Sequence, residues 1–250
     1  MRSTVIAIGL LVLACHAAPA SVDDLDNFLR SVEQAAQVTT PLRGDGQFQV
    51  TSPQATHDDQ VALILRPPAD TYIELHQAGL KAIVMDQTGE ASLFKPGDGK
   101  AEAFPLDANF AGSDFNREDL LPFRVSSYKE PRISDESGDG VTVTLFPTTP
   151  PYSLIVITFD RDKKVPRKTL YYRDTLNNLV KMRRDDDYVL VGRKWMPTTM
   201  SMETFKLRTR TTFTLRWSQD ANVPPELFDP VFLLRPSGIS WPATSTPLAK

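Results

Sequence analysis

Apolar residues recur every three or four positions just after residue 20 and at every second position along much of the chain beyond residue 46. Val22, Leu25, Leu29, Val32 and Ala36 share the face of a helix. Ser21 is placed to cap it, Asp23 and Asp24 suit the positive end of its dipole, and Thr39-Thr40-Pro41 stops it. This predicts one amphipathic helix. Beyond it, Val61, Leu63 and Leu65 share one strand face, as do Thr71, Ile73 and Leu75, with Tyr72, Glu74 and His76 opposite. Val141, Val143 and Leu145 alternate with threonines in the same way. In "TFKLRTRTTFTLRW", Phe205, Leu207, Thr209, Thr211, Phe213, Leu215 and Trp217 line one face and Lys206, Arg208, Arg210 and Arg216 the other, unless a turn near Arg208 to Arg210 folds the run into a hairpin.

"LKAIVMD" and "SLIVITF" are apolar at consecutive positions, which predicts strands covered on both faces. Between the runs, Gly89, "PGDGK", "SGDG", "DRDKK", "RDTLNN" and "RRDDD" supply turn residues at spacings that suit short antiparallel strands. The pattern therefore reads as a helix followed by a meander of about ten strands, interrupted between Gly112 and Leu120. After Phe232, "LLRPSGISWPATSTPLAK" lacks periodicity and reads as a frayed tail.

At 250 residues and 41% hydrophobic, the chain can bury one sizeable core. Its formal charge of -3 and scattered basic residues give no nucleic-acid footprint. The apolar run Val5 to Leu13 behind Arg2 reads as an export signal. Ala18-Pro19-Ala20 fits cleavage before Ser21, the reading adopted here. The alternative is that Val12-Leu13-Ala14-Cys15 is a lipobox, which would leave Cys15 lipidated and hold the protein at the inner or outer membrane. The expected division is a signal peptide over residues 1–20, one domain over 21–235, and a Pro- and Ser-rich tail over 236–250. If Cys15 leaves with the signal, no cysteine remains for a disulfide, a thiolate nucleophile or a zinc site.

Chemistry leaves little trace. His57 and His76 lack ligand spacing, so no metal site and no cofactor are expected. No GxSxG elbow occurs. "KPGDGKA" has Phe94 where a phosphate loop needs its first glycine, and "FDRDKKVP" has Val165 where a calcium loop needs one; both read as turns. "MRRDDDY" reads as a solvated hairpin tip. Nothing here points to an enzyme.

One motif stands apart: "AGSDFNREDL", Ala111 to Leu120. With the later segments "YKEPRISDESGDGVTVTLFP", "LIVITFDRD", "KTLYYRDTLNNLVK" and "KWMPTTMSMETFKLRTRTTFTL", it resembles the LolA-like outer membrane lipoprotein-sorting proteins of the LolA/LolB superfamily, over roughly Val22 to Leu234. The resemblance implies a mainly β (α+β) fold: a curved, incomplete antiparallel β-barrel of about ten or eleven strands, with the N-terminal helix and a short helical insertion covering the concave face. It also implies a periplasmic carrier, acting as a monomer, that shields the acyl chains of a lipid or lipoprotein cargo and meets inner- or outer-membrane transport partners. The lid residues of the best-understood carrier have no matched counterpart here, so gated transfer is not carried over. Cavity candidates are Val61, Leu63, Leu65, Ile73, Leu75, Phe205, Leu207, Phe213, Leu215 and Trp217. The motif residues Gly112, Ser113, Asp114, Phe115, Glu118, Asp119 and Leu120 are expected to hold shape: Gly112 through an unusual backbone conformation, Ser113 or Asp114 as a cap, Phe115 and Leu120 as anchors. The alternatives are a non-catalytic envelope scaffold with a filled core and, further off, a lipid-directed hydrolase.

Overall fold

The computed structural model describes residues 22–220 and 222–235. The expected signal and tail, with Ser21 and Cys15, lie outside them. Helix α1 spans Val22–Ala36 and buries Leu25, Leu29 and Val32, the stripe its spacing predicts. Among the described residues, no helix is long and apolar enough to cross a membrane.

Thirteen strands form one antiparallel sheet: β1 Leu42–Thr51, β2 Thr56–Arg66, β3 Asp70–Leu75, β4 Leu80–Val84, β5 Ala91–Phe94, β6 Glu102–Ala103, β7 Tyr128–Ser137, β8 Gly140–Pro147, β9 Leu154–Asp160, β10 Pro166–Tyr172, β11 Leu179–Val191, β12 Lys194–Thr204 and β13 Thr209–Gln219. The count exceeds the expected ten or eleven because β6 is two residues long and β7 carries charges without alternation, so neither shows a periodic signal. The spatial order runs β6-β5-β4-β3-β2-β1-β13-β12-β11-β10-β9-β8-β7. Two meanders are thus joined where β1 pairs with β13, Gly46 opposite Leu215 and Phe48 opposite Phe213. The sheet curves but stays open, with β6 and β7 as its free edges. Edge strand β7 is blunted by Pro131, by register shifts near Lys129 and Ile133, and by charged residues along its length.

This topology accounts for the position of the motif. Residues 104–127 are the only link between edge strands β6 and β7, so the chain must cross from one edge of the sheet to the other. It does so over the concave face, as short 3₁₀ turns at Phe110–Gly112, Glu118–Leu120 and Val125–Ser127.

The concave core joins α1, both meanders and Phe104, Phe110 and Phe115 of the crossing segment. A second cluster lies on the opposite face, where Ile64, Tyr72 and Ile83 meet Leu227, Phe228, Phe232 and Leu233 from the turns Pro225–Phe228 and Pro230–Leu234. The frayed tail expected from residue 233 is corrected in part: Leu233 is fully buried, and Lys81 Nζ donates to the Arg235 carbonyl at 2.6 Å. Covered on both faces, β3 and β4 bury every residue, which is why "LKAIVMD" reads apolar without alternation.

Candidate functional site

The crossing segment is fastened at one end by aromatic packing and at the other by a polar knot. Phe115 meets Phe213 edge-on at 5.1 Å between ring centroids, Phe48 lies 4.9 Å from Phe213, and Phe110 packs on Phe48 and Phe104. These rings fill part of the concave face. Gly112 adopts φ +69°, the left-handed conformation expected of it, and Ala111 precedes it at φ +52°. The expected capping is corrected. Asn116 Oδ1 accepts from the Asp119 amide at 3.1 Å while Asp119 Oδ2 accepts from the Asn116 amide at 2.9 Å, a reciprocal box that leaves Ser113 and Asp114 to other partners. Ser113 Oγ bonds within the loop to Phe115, and Asp114 accepts from the Thr209 and Thr211 hydroxyls of β13. Neither caps the turn.

Where the phenylalanines stop, a cavity of about 360 Å³ opens between the second half of α1, the concave sheet and residues 118–128 of the crossing segment. That volume falls in the range of about 300–1,000 Å³ usual for ligand sites. Most of its wall is apolar: Val32, Ala36 and Val38 from α1 and its end, Leu63 and Ile73 from β2 and β3, Ile155, Ile157 and Phe159 from β9, and Met196, Met200, Phe213 and Trp217 from β12 and β13.

One wall is ionic. Arg183 Nε donates to Asp185 Oδ1 at 2.9 Å, and its Nη1 donates to the Asp119 carbonyl at 2.8 Å. Lys181 Nζ lies 3.3 Å from Asp119 Oδ2. Burial pulls the Arg183 guanidinium down, but Asp185 and Tyr171 outweigh it and hold the charge. Burial raises Asp185, against the pull of Arg183. Burial, reinforced by the neighbouring Asp119, pushes Glu118 up to about 7, while Lys181 opposes the shift. Burial likewise raises the phenols of Tyr128 and Tyr171. At the mouth, burial lowers Lys194 to about 8, and its Nζ donates to the carbonyls of Ala35 at 2.7 Å and Gln37 at 3.3 Å, closing the end of α1. No group of three or more potential metal ligands occurs among the described residues.

Of the ten cavity candidates, Leu63, Leu65, Ile73, Phe213 and Trp217 line the cavity. Val61, Leu75 and Leu215 lie in the packed core beside it. Phe205 and Leu207 do neither: β12 ends at Thr204 and β13 begins at Thr209, so the long alternating run is a hairpin whose tip exposes both residues. The turn spans residues 205–208 and overlaps, at Arg208 with φ +54°, the segment where the sequence allowed one. "MRRDDDY" is also corrected. It lies within β11, and alternation sends Arg183 and Asp185 inward while Arg184 and Asp186 point outward. Sequence reading missed Arg183 and Asp185 because a charge run resembles a solvated tip, where the signal was opposite charges two apart inside a strand-length segment; it also missed Lys181 and Lys194, lysines outside that run.

Set beside known proteins, the chain matches over residues 81–235 the model of a family described as uncharacterized proteins. No curated protein matches it. Solved structures similar to it include a domain described as an outer membrane lipoprotein-sorting protein from Vibrio parahaemolyticus, with TM-score 0.73 and 16% identity over 83% of this chain and 97% of that one. A DUF1329 family protein from Desulfovibrio piger reaches TM-score 0.71 at 16% identity over 83% and 96%. A LolA superfamily protein from Nitrosomonas europaea reaches 0.57 at 15% identity over 85% and 98%. The fold is LolA-like.

Proposed function

We propose, for a chain that belongs to this family of uncharacterized proteins and carries the LolA-like fold, that it is a carrier which shields acyl chains from water. The observation that carries the reading is the apolar cavity under α1, left open while phenylalanines fill the neighbouring part of the concave face. Burying a methylene is worth about 0.8 kcal/mol, so a chain segment of eight carbons contributes on the order of 6 kcal/mol before the costs of ordering. The apolar run Val5 to Leu13 supports export, and hence work in the periplasm on a lipid or lipoprotein cargo.

The ionic wall requires no catalytic role in this reading. Arg183, Asp185, Asp119 and Lys181 neutralise one another and fix the crossing segment to β11. Extraction of the purified protein with organic solvent, followed by mass spectrometry, tests the proposal. A phospholipid or acylated peptide recovered in stoichiometric amount is expected. An empty extract from protein that also fails to take up added lipid favours a scaffold, and accumulating lysolipid points to a hydrolase.

A further inference from the structure

The polar atoms of the cavity wall are unevenly satisfied. Each cation that lines it is already engaged: Arg183 with Asp185 and the Asp119 carbonyl, Arg124 with Asp86, Lys194 with the carbonyls ending α1, and Lys164 over the Phe28 ring at 4.6 Å from its centroid. Among the carboxylates, Asp185 is engaged by Arg183, but one oxygen each of Glu118 and Asp119 is not. Glu118 Oε2 and Asp119 Oδ1 are both buried without a hydrogen-bond partner among the described residues, and the Asp119 side chain is only 1% exposed. Both residues line the cavity. A third orphan, Arg117 Nε, belongs to a residue outside it. The Tyr128 and Tyr171 hydroxyls, also on the wall, can donate or accept. The unmet demand of the buried wall is therefore for donors.

Leaving such acceptors unpaired is costly, and a ligand that supplies N–H groups recovers that cost on binding. A carboxylate head would instead add an anion beside two carboxyl groups. We infer that the cavity takes an amphiphile whose head is a primary ammonium, donated to Glu118 and Asp119 while its chain runs along Leu63, Ile73, Ile157 and Phe213. This rests on the carrier reading and names the chemical class of its ligand. The raised affinity of Glu118 for its proton agrees, since an ammonium placed there substitutes for it.

Chain-matched ligands provide the test: dodecylamine, dodecanol and dodecanoate, together with lauroyl lysophosphatidylethanolamine and lauroyl lysophosphatidylcholine, titrated calorimetrically into the protein and its Glu118→Gln variant. The side chain of Glu118 makes no hydrogen bond to lose among the described residues, so the variant is expected to melt no lower than the parent. The amine is expected to bind about tenfold tighter than the alcohol and more so than the carboxylate. The substitution is expected to remove that preference and leave dodecanol unchanged. A preference for the ethanolamine over the choline lipid makes a phospholipid head the source of the ammonium; a response confined to dodecylamine makes it a free long-chain amine. Equal or tighter binding of dodecanoate, or an amine preference that survives Glu118→Gln, overturns the inference while the carrier reading stands. Failure of all five ligands to bind overturns both.

Discussion

Thr211 donates its hydroxyl to Asp114 Oδ2 at 2.9 Å and, through the same oxygen, accepts the Asp114 amide at 2.9 Å. Both residues are buried, and 97 positions separate them in the chain. This exchange, with the bond from Thr209, ties the crossing segment to the first half of β13 and keeps Phe115 against Phe213. Asp114→Ala should leave the Thr211 hydroxyl and the crossing loop without their partner, at a cost of about 2–3 kcal/mol. Urea unfolding of the variant checks this; a loss below about 0.5 kcal/mol would mean that the motif is not a fastening.

Gly46 sits where β1 meets β13, and a Cβ there would stand 1.8 Å from the Thr214 carbonyl oxygen, a backbone atom that cannot swing aside. Gly46→Ala is therefore expected to lose more than about 2 kcal/mol, since the pairing of the two meanders must shift. Gly97→Ala, in an exposed turn with open space around it, should cost no more than the strain of its positive φ, about 1–2 kcal/mol. Thermal denaturation of the pair separates the two causes.

Glu118 gives the stability a pH dependence of definite sign. Its folded pKa, about 7, lies above the ordinary carboxyl value, so the folded state holds the proton more tightly than the unfolded chain. Stability is then highest below the ordinary value, falls as pH rises toward about 7, and is flat beyond. Glu118→Gln should abolish that fall and be more stable than the parent at pH 8, by on the order of 1–3 kcal/mol, with the two alike near pH 4. Denaturant midpoints at several pH values check it.

Lys194 ties β12 to the end of α1 through the carbonyls of Ala35 and Gln37. Lys194→Ala should cost about 1 kcal/mol and speed amide exchange selectively over residues 33–38, the part of the helix roof at the cavity mouth. Hydrogen exchange by mass spectrometry reads this directly. Uniform acceleration through the sheet would contradict the local role.

Much of this architecture is legible in the sequence because it rests on periodicity. The helix stripe of Leu25, Leu29 and Val32 and the alternation of β2, β3 and β8 appear as read. What period two cannot state is which face has room. Val61 and Leu63 share a face, yet only Leu63 reaches the cavity, because emptiness depends on where Phe110 and Phe115 come to rest. Phe205 and Leu207 continue the alternation of β13 without being in it, since a hairpin tip need not break a hydrophobic pattern. Arg183 and Asp185 read as solvated because a paired charge inside a strand looks like two exposed ones until its partners are known.

The central claim is that the space under α1 is kept for a ligand. It is tested most directly by titrating a fluorescent acyl probe into the protein and into Ala36→Trp, which puts an indole into that space from the helix side. Micromolar or tighter binding by the parent is expected, with at least about a tenfold loss in the variant and no change in melting temperature. Equal binding by both proteins, or none by either, would contradict it.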